Sequence, residues 1–378
     1  MISLLLFISS VSSSEVLYDG NDLKLSGDVV IEHPLGQMHA EEALIERPDQ
    51  QSESFDAIHL RKTVRLELKD YGKLLCEFAD FDFQSLTGCL KANKGEKISY
   101  KQLVEQKLPL EMTSPLAHLL FEKGQKQLPL LKAIRACEGV DISYADSFHL
   151  KAPAALLEKT ALVAFAKEEA LCSLTHGQDS LQATKVGLDP QTELLEIEKP
   201  RGYFRSFALS PGGELMIQCD HLLWNHEKKW LECNSCVEIK ESSLGKASAS
   251  KGCITYEGST LKTIDLEGEV QLCKCAEPSS LDPHPGGGRF AKADHLHYQN
   301  EAQLLTLTAA PHERVLFWDE EKHLSISASE VQISKDPQTR EESIKGIGNV
   351  RFHFSPAENA LIAKIFPNFS EGHADSTR

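Results

Sequence analysis

The stretch that decides the fold runs from Ala293 to Ser329 and reads ADHLHYQNEAQLLTLTAAPHERVLFWDEEKHLSISAS; it is followed by GNVRFHF at Gly348–Phe354. Short apolar runs alternate with polar residues, and polar turns separate the runs at similar intervals. Successive side chains of a strand point to opposite faces, so this alternation is typical of β-structure. The stretch therefore predicts a meander of β-strands.

The same pattern recurs upstream in two forms. Cys219–Cys233 aligns without gaps with Ala293–Leu307, and Ala183–Ile197 fits the same template. The second form begins with glycine or a residue that replaces it, followed in most copies by an acidic or polar residue. Valine comes next, and an apolar residue lies two positions after the valine. This form occurs at Gly27–Ile31, Lys62–Leu66, Gly139–Ile142, Gly268–Leu272 and Gly348–Phe352. Such repetition indicates that each copy buries its apolar face against its neighbours.

In their order, these motifs resemble the OstA-like (LptA-type) domain family of periplasmic lipopolysaccharide-transport proteins. The resemblance covers Val16–Ile45 and Gly202–Phe354 best. It implies an all-β fold, an elongated and twisted β-jellyroll of repeated meander units whose interior holds lipid A acyl chains. It also implies partners: lipopolysaccharide, inner-membrane ABC transporter components, an outer-membrane translocon and copies of the same chain stacked edge to edge.

One segment departs from the strand pattern. Between 101 and 138 the apolar residues have helical spacing, with Ser114 placed to cap a helix and Pro115 at its first position, which predicts a small helical insert. Residues 154–171 fit a helix or strands equally well. The resulting division is a signal-peptide-like segment (1–14), an N-terminal OstA-like β region (15–100), the helical insert (101–138), a middle β-jellyroll (139–277), a Pro/Gly loop (278–289), C-terminal β-jellyroll repeats (290–366) and a polar tail (367–378).

Export is predicted by the amino terminus. Ile2–Val11 is an apolar run followed by three serines, which resembles the hydrophobic part of a signal peptide, although a buried first strand is the alternative. We therefore expect a periplasmic protein. The net charge of −16 and the absence of a basic stripe argue against nucleic acid as a partner.

The predicted lipid-binding residues are those whose alternation places them on the interior face. Burial of the apolar surface of a few acyl chains would be enough to hold them there, since each Å² of buried apolar surface contributes roughly 25 cal/mol. The same residues would equally form the packed core of a β-sandwich, and periodicity does not separate the two. The interior residues are Leu222, Trp224, Leu296, Tyr298, Leu305, Leu307, Leu324, Ile326, Val350 and Phe352.

The ten cysteines offer a second set of candidate sites. A hairpin turning at His226 would place Cys219 opposite Cys233, which predicts a disulfide or, alternatively, two free core thiols. Cys233–Cys236 with Cys273–Cys275 has poor spacing for zinc, and a redox Cys-x-x-Cys would open a helix rather than follow a strand.

No metal site, cofactor or catalytic site is predicted. His295 and His297 share a strand face but have no third ligand fixed by spacing, so we expect surface histidines. The sequence contains no G-x-S-x-G, no H-E-x-x-H and no paired carboxylates of a hydrolase. An enzyme is therefore not expected, and the alternative function is a structural, disulfide-braced envelope β-protein that binds other proteins.

Overall fold

The computed structural model describes residues 10–47, 56–102, 109–123, 129–145, 147–159, 161–207, 209, 213–241, 244–274, 288–336, 339 and 341–366. The chain divides into two compact units, Met1–Pro200 and Arg201–Arg378. Each unit is described by itself below.

Unit 1 consists of antiparallel strands whose residues alternate between buried and exposed. Its strands are β1 (Ser10–Ser12), β2 (Glu15–Tyr18), β3 (Leu23–His33), β4 (Gly36–Glu46), β5 (Ala57–Leu68), β6 (Gly72–Asp82), β7 (Thr87–Lys91), β8 (Ile98–Gln102), β9 (Leu110–Ser114), β10 (Leu116–Lys123), β11 (Pro129–Cys137), β12 (Val140–Tyr144), β13 (Phe148–Ala152), β14 (Ala154–Glu158), β15 (Leu162–Phe165), β16 (Cys172–His176), β17 (Asp179–Ala183), β18 (Lys185–Asp189) and β19 (Leu194–Glu198).

Two sheets grow from the long strands β3 to β6. The half of β6 at Phe78–Asp82 pairs with β7, and the half at Lys73–Leu75 pairs with β8. One sheet then continues in the order β7, β10, β11, β14, β15, β18, β19. The other continues in the order β8, β9, β12, β13, β16, β17. The chain therefore adds a hairpin to one sheet and then crosses to the other.

Unit 2 repeats this plan, and its last described element is a helix. Its elements are β20 (Arg201–Phe204), β21 (Leu215–Gln218), β22 (His221–Asn225), β23 (Trp230–Glu241), β24 (Gly245–Glu257), β25 (Thr260–Lys274), β26 (Arg289–Gln299), β27 (Leu304–Thr308), β28 (Val315–Asp319), β29 (Leu324–Ala328), β30 (Glu330–Lys335), β31 (Glu342–Ile347) and α1 (Pro356–Ile365).

The long strands of unit 2 are β23 to β26, and its two sheets diverge after β26. The half of β26 at His295–Gln299 pairs with β27, which continues through β30 to β31. The half at Arg289–Lys292 pairs with β28, which continues to β29. A Cβ built on Gly346 of β31 would lie 3.3 Å from Ile326 of β29, so the buried faces of the two sheets meet.

The all-β class is confirmed, but the predicted helical insert is wrong where the structure describes it. Residues 110–123 and 129–137 form β9, β10 and β11, and β10 pairs with both β7 and β11. The Ser114 hydroxyl donates to the Leu116 carbonyl, 3.1 Å away, rather than capping a helix. The undecided residues 154–171 include the strands β14 and β15.

The described helix, α1, follows the segment where a final strand was expected. The predicted strand at Gly348–Phe354 gives only a single bridge between Arg351 and Ser327. A capping box then starts α1: the Ser355 hydroxyl accepts from the Glu358 amide, and the Glu358 carboxylate accepts from the Ser355 amide. Pro356 occupies the first helical turn, where its missing N–H costs nothing.

Several sequence predictions fall on residues outside the described ranges. These include most of the signal-peptide-like segment, most of the Pro/Gly loop and the polar tail; residues 10–12 form β1, which pairs with β3. Among the described residues, no helix has the length and apolar character needed to cross a membrane.

Candidate functional site

The repeated valine motif marks the point where a long strand bends from one sheet into the other. At Gly27-Asp28 the φ angles are 73° and 46°, and at Gly268-Glu269 they are 77° and 52°. Two consecutive residues in the left-handed region insert an irregularity into the strand, and the pairing register shifts at both places. We call these pairs corners; Lys62-Thr63, with φ of 63° and 51°, is another.

A serine lies opposite the glycine of three corners. A Cβ added to Gly27 would lie 2.9 Å from the Ser14 side chain, and one added to Gly268 would lie 3.0 Å from Ser250. Gly348 has the same relation to Ser329. Glycine is required there both by φ and by this close approach.

One further corner was not recognised in the sequence. Ser235 and Cys236 have φ of 60° and 50°, and the pairing of β23 with β24 shifts between Asn234 and Val237. Val237 and Ile239 follow as the buried alternate residues. The sequence signal was present as Val237-x-Ile239, but a serine and a cysteine stand where most other copies carry glycine and an acidic or polar residue.

Six of the ten predicted interior residues are buried. Leu222, Leu296 and Leu307 are 0% exposed, and the others of this group are Trp224 at 1%, Ile326 at 2% and Leu305 at 7%. Tyr298, Leu324 and Val350 are partly buried. Phe352 is 63% exposed, so its predicted interior position is wrong. The physical reason is that the chain stops pairing after Arg351, so no sheet fixes the inward direction.

Aromatic side chains fill part of the interior of unit 2. Trp224 Nε1 donates to the Tyr256 hydroxyl at 3.0 Å. Phe207 stacks on Tyr256 with centroids 4.4 Å apart, and Phe204 meets Trp224 edge-on at 5.3 Å. Phe204, Phe207 and Trp224 are each at most 1% exposed, so this part of the interior is a packed core rather than an open groove.

An open groove of about 1010 Å³ lies on unit 1. It runs over β2 to β5, where Val16 is 61% exposed and Leu17 is 62% exposed. In the described residues β2 pairs only with β3, so this groove lies at a free sheet edge. Its lining is Glu15, Val16, Leu17, Lys24, Leu25, Ser26, Glu42, Ala43, Leu44, Glu46, His59 and Arg61.

Several charged groups of this groove form ion pairs. Arg61 contacts the Asp80 carboxylate at 2.6 Å, and His59 Nδ1 contacts the same carboxylate at 2.7 Å. Burial opposes ionisation of Asp80, but the hydrogen bonds from His59 and Arg61 outweigh it and lower the pKa of this carboxyl. The groove therefore presents apolar side chains beside neutralised ion pairs.

The predicted opposition of Cys219 and Cys233 is wrong in register. Leu222, not Cys219, pairs with Cys233 across the hairpin, because the hairpin turns between Glu227 and Lys228 rather than at His226. Neither cysteine forms a disulfide in this structure, and both are buried. Cys236 is exposed, and Cys275 of the second cysteine pair lies outside the described residues.

The two strand histidines share a carboxylate. His297 Nδ1 contacts Asp265 of β25, and His295 Nε2 lies 3.7 Å from the same Asp265 oxygen. Asp265 was not identified in the sequence because it reaches the pair through cross-strand pairing with His297. Across the described ranges, no three His, Cys, Asp or Glu side chains are grouped as a metal site.

Comparisons with known proteins find matches among solved structures. No family model and no curated protein matches the sequence. The chain is similar to the crystal structure of LptH, the LptA homologous periplasmic component of the lipopolysaccharide transport device from Pseudomonas aeruginosa, at 8% identity and a TM-score of 0.28. The match covers 38% of this chain and 95% of that chain. A TM-score this low carries no argument, so the fold rests on the strand pairing described above.

Proposed function

We propose that this chain is an OstA-like periplasmic protein that binds lipopolysaccharide, shields lipid A acyl chains between its two sheets and bridges the inner to the outer membrane during export. The observation that carries the proposal is the two-sheet construction with repeated corners, which leaves one apolar layer along each unit. The corners give the repeated valine motif a structural role, because each motif copy that contains two consecutive left-handed residues forms a corner.

Acyl chains would enter this layer by replacing contacts between the protein's own side chains. Both kinds of contact bury apolar surface, at roughly 25 cal/mol per Å², so the exchange needs no single essential residue. The groove over β2 to β5 supports an entry point at the edge of unit 1, since Val16 and Leu17 are already exposed there. An acyl chain resting on them would remove apolar surface from water at once.

The proposed partners are inner-membrane ABC transporter components, an outer-membrane translocon and further copies of this chain joined edge to edge. Free edges support this proposal. Among the described strands, β2 pairs only with β3 and β31 pairs only with β30. A free edge presents unpaired amides and carbonyls that accept another strand.

Photo-crosslinking tests the lipid-binding face. A photoreactive residue at Leu305 or Ile326, both facing inward, is expected to capture lipopolysaccharide in cells, and one at Leu17 tests the entry groove. The neighbouring outward positions Thr306 and Ser325 are matched controls, because each lies one residue away on the same strand. Capture confined to Thr306 and Ser325 would contradict the proposal.

A second function is favoured by the closed interior of unit 2. There the stacked and edge-on contacts of Phe204, Phe207, Trp224 and Tyr256 leave a core that a structural envelope protein would need. Such a protein would bind other proteins and carry no lipid. A native mass spectrum of purified protein distinguishes the two: adducts of lipid mass support transport, and their absence after gentle purification supports the structural role.

A further inference from the structure

The corner in β23 lies opposite the connection that carries Cys219. On one side of it His221 pairs with Asn234, and on the other side Gln218 pairs with Glu238. β23 thus carries one residue more than its partner strands between these two pairs, and the excess is taken up at Ser235-Cys236 in the left-handed region.

The two cysteines of the Cys-x-x-Cys sequence lie three residues apart on β23 and therefore on opposite faces of the strand. Cys233 is 0% exposed and faces inward with Val237, whereas Cys236 at the corner is exposed. Cys219 lies between β21 and β22 and is 4% exposed. Continuing the hairpin register from Leu222 would pair Cys219 with Cys236, but Cys219 is buried and Cys236 is exposed. The Asp220 amide donates to the Ser235 carbonyl at 3.0 Å, and this bond holds Cys219 beside the part of β23 that carries the buried Cys233.

We infer that Cys219 and Cys233 are a disulfide-forming pair, oxidised in a thiol-oxidising compartment, and that Cys236 is excluded from it. The oxidant is a small disulfide of the oxidised-glutathione class. The Cys219 thiolate attacks one sulfur of the oxidant, whose S–S bond breaks and releases one thiolate. Cys233 then loses its proton and attacks the Cys219 sulfur, which forms the protein disulfide and releases the second thiol. Two protein thiols are oxidised and one small disulfide is reduced.

The surroundings distinguish the roles of the two sulfurs. Hydrogen bonding with the Cys233 thiol lowers the pKa of Cys219 against the opposing effect of burial. The same hydrogen bond, together with burial, raises the pKa of Cys233. Cys219 therefore attacks first, and it is also the less buried of the two.

The disulfide would join β23 to the connection between β21 and β22 at a corner. That connection passes from the strand paired with one half of β23 to the strand paired with the other half. Closing it covalently constrains the unfolded chain and keeps the corner from opening. The inference does not depend on lipid binding.

Peptide mapping without reduction tests the pairing. The full chain is refolded from urea in a buffer containing oxidised and reduced glutathione, free thiols are alkylated, and the digest is analysed by tandem mass spectrometry. We expect a Cys219 peptide linked to the peptide that carries both Cys233 and Cys236. Fragmentation between Asn234 and Ser235 assigns the linked sulfur to Cys233.

Matched variants make the assignment independent of fragmentation. Cys236→Ser is expected to retain the cross-link, and Cys76→Ser in unit 1 serves as a distant control. Cys233→Ser is expected to abolish the cross-link. A Cys219–Cys236 cross-link, or complete alkylation of both Cys219 and Cys233 in oxidised wild-type protein, would overturn the inference. Because these readouts use the wild type and Cys236→Ser, they do not require Cys233→Ser to fold.

Discussion

The corners at Gly268-Glu269 and Gly348-Asn349 have nearly the same backbone but lead to different structures. Their φ angles are 77° and 52° at the first and 74° and 46° at the second. After the first, β25 continues between β24 and β26, and Leu272 is 2% exposed. After the second, one bridge forms, α1 follows, and Phe352 in the equivalent position is 63% exposed. The motif therefore specifies the bend, and the neighbouring strands decide whether a strand follows it.

The largest expected effect comes from substituting the glycine of each corner. Gly268→Val puts a β-branched residue at φ 77° and a Cβ 3.0 Å from Ser250, within a strand paired on both sides. We expect the free energy of unfolding of unit 2 to fall by about 4 kcal/mol from strain and overpacking. Gly348→Val is expected to cost about half as much, because the chain after it can shift.

Urea denaturation followed by tryptophan fluorescence measures both variants, since Trp224, Trp230 and Trp318 all lie in unit 2. Gly268→Asn is the matched control, because asparagine tolerates the left-handed region better than valine. Equal losses for the two valine variants would show that strand continuation does not matter at a corner.

A smaller effect is expected from the cluster beneath α1. Leu316 and Trp318 lie on the outer face of β28 and are covered by Ile362, with Phe290, Phe354 and Phe366 packed around them. Ile362→Ala is expected to reduce stability by about 2 kcal/mol, by leaving a cavity on this face. Increased binding of a hydrophobic dye and a lower urea midpoint are the readouts. Leu361→Ala, 37% exposed one residue earlier, should change neither.

The smallest expected effect is a pH dependence of stability at the start of helix α1, which follows the corner at Gly348-Asn349. Burial opposes ionisation of Glu358, but hydrogen bonds from the Ser355 amide and from the Ser327 and Ser355 hydroxyls lower its pKa below the ordinary 4.5. A lowered carboxyl pKa means that the ionised form stabilises the folded chain, and this contribution is lost as pH falls through the folded pKa. We expect a loss of about 1 kcal/mol below pH 4.5, in line with the cost of removing a helix cap.

Glu358→Gln tests this source of the pH dependence. The amide retains an acceptor for the Ser355 amide but does not titrate, so the acid-induced loss at this end should disappear. The helix signal of α1 in hydrogen exchange provides the local readout. If Glu358→Gln loses as much stability in acid as the wild type does, the pH dependence comes from other groups.

The strand class was predictable because buried and exposed residues alternate in most strands. The prediction failed at β10 because outward residues there are apolar too: Leu116 and Leu120 flank the buried Leu119, and the combined pattern imitates a helix. Helix α1 was missed because the residues before it, Val350–Phe354, have strand alternation without a partner strand. Local sequence carries no information about which neighbour is present.

The candidate site was predicted in part, for the same reason. Inward direction follows from alternation, so Leu296 and Leu307 were placed correctly, while Phe352 was not because its segment is unpaired. Whether the interior is open or closed depends on the distance between two sheets, which alternation leaves undetermined. The approach of Cys219 to β23 depends on the corner at Ser235-Cys236, a pair that lacks the glycine of most other copies.

The alternating addition of hairpins in unit 1 makes its size adjustable in fixed steps. Beyond β6, the hairpins of the described residues pair with the strands added before and after them within their own sheet. Gain or loss of one hairpin per sheet would change each sheet by two strand spacings, about 9.6 Å, while leaving the same kind of edge behind. The length of the apolar layer can therefore change while its cross-section stays the same. Duplication of a short gene segment would lengthen the layer in this way.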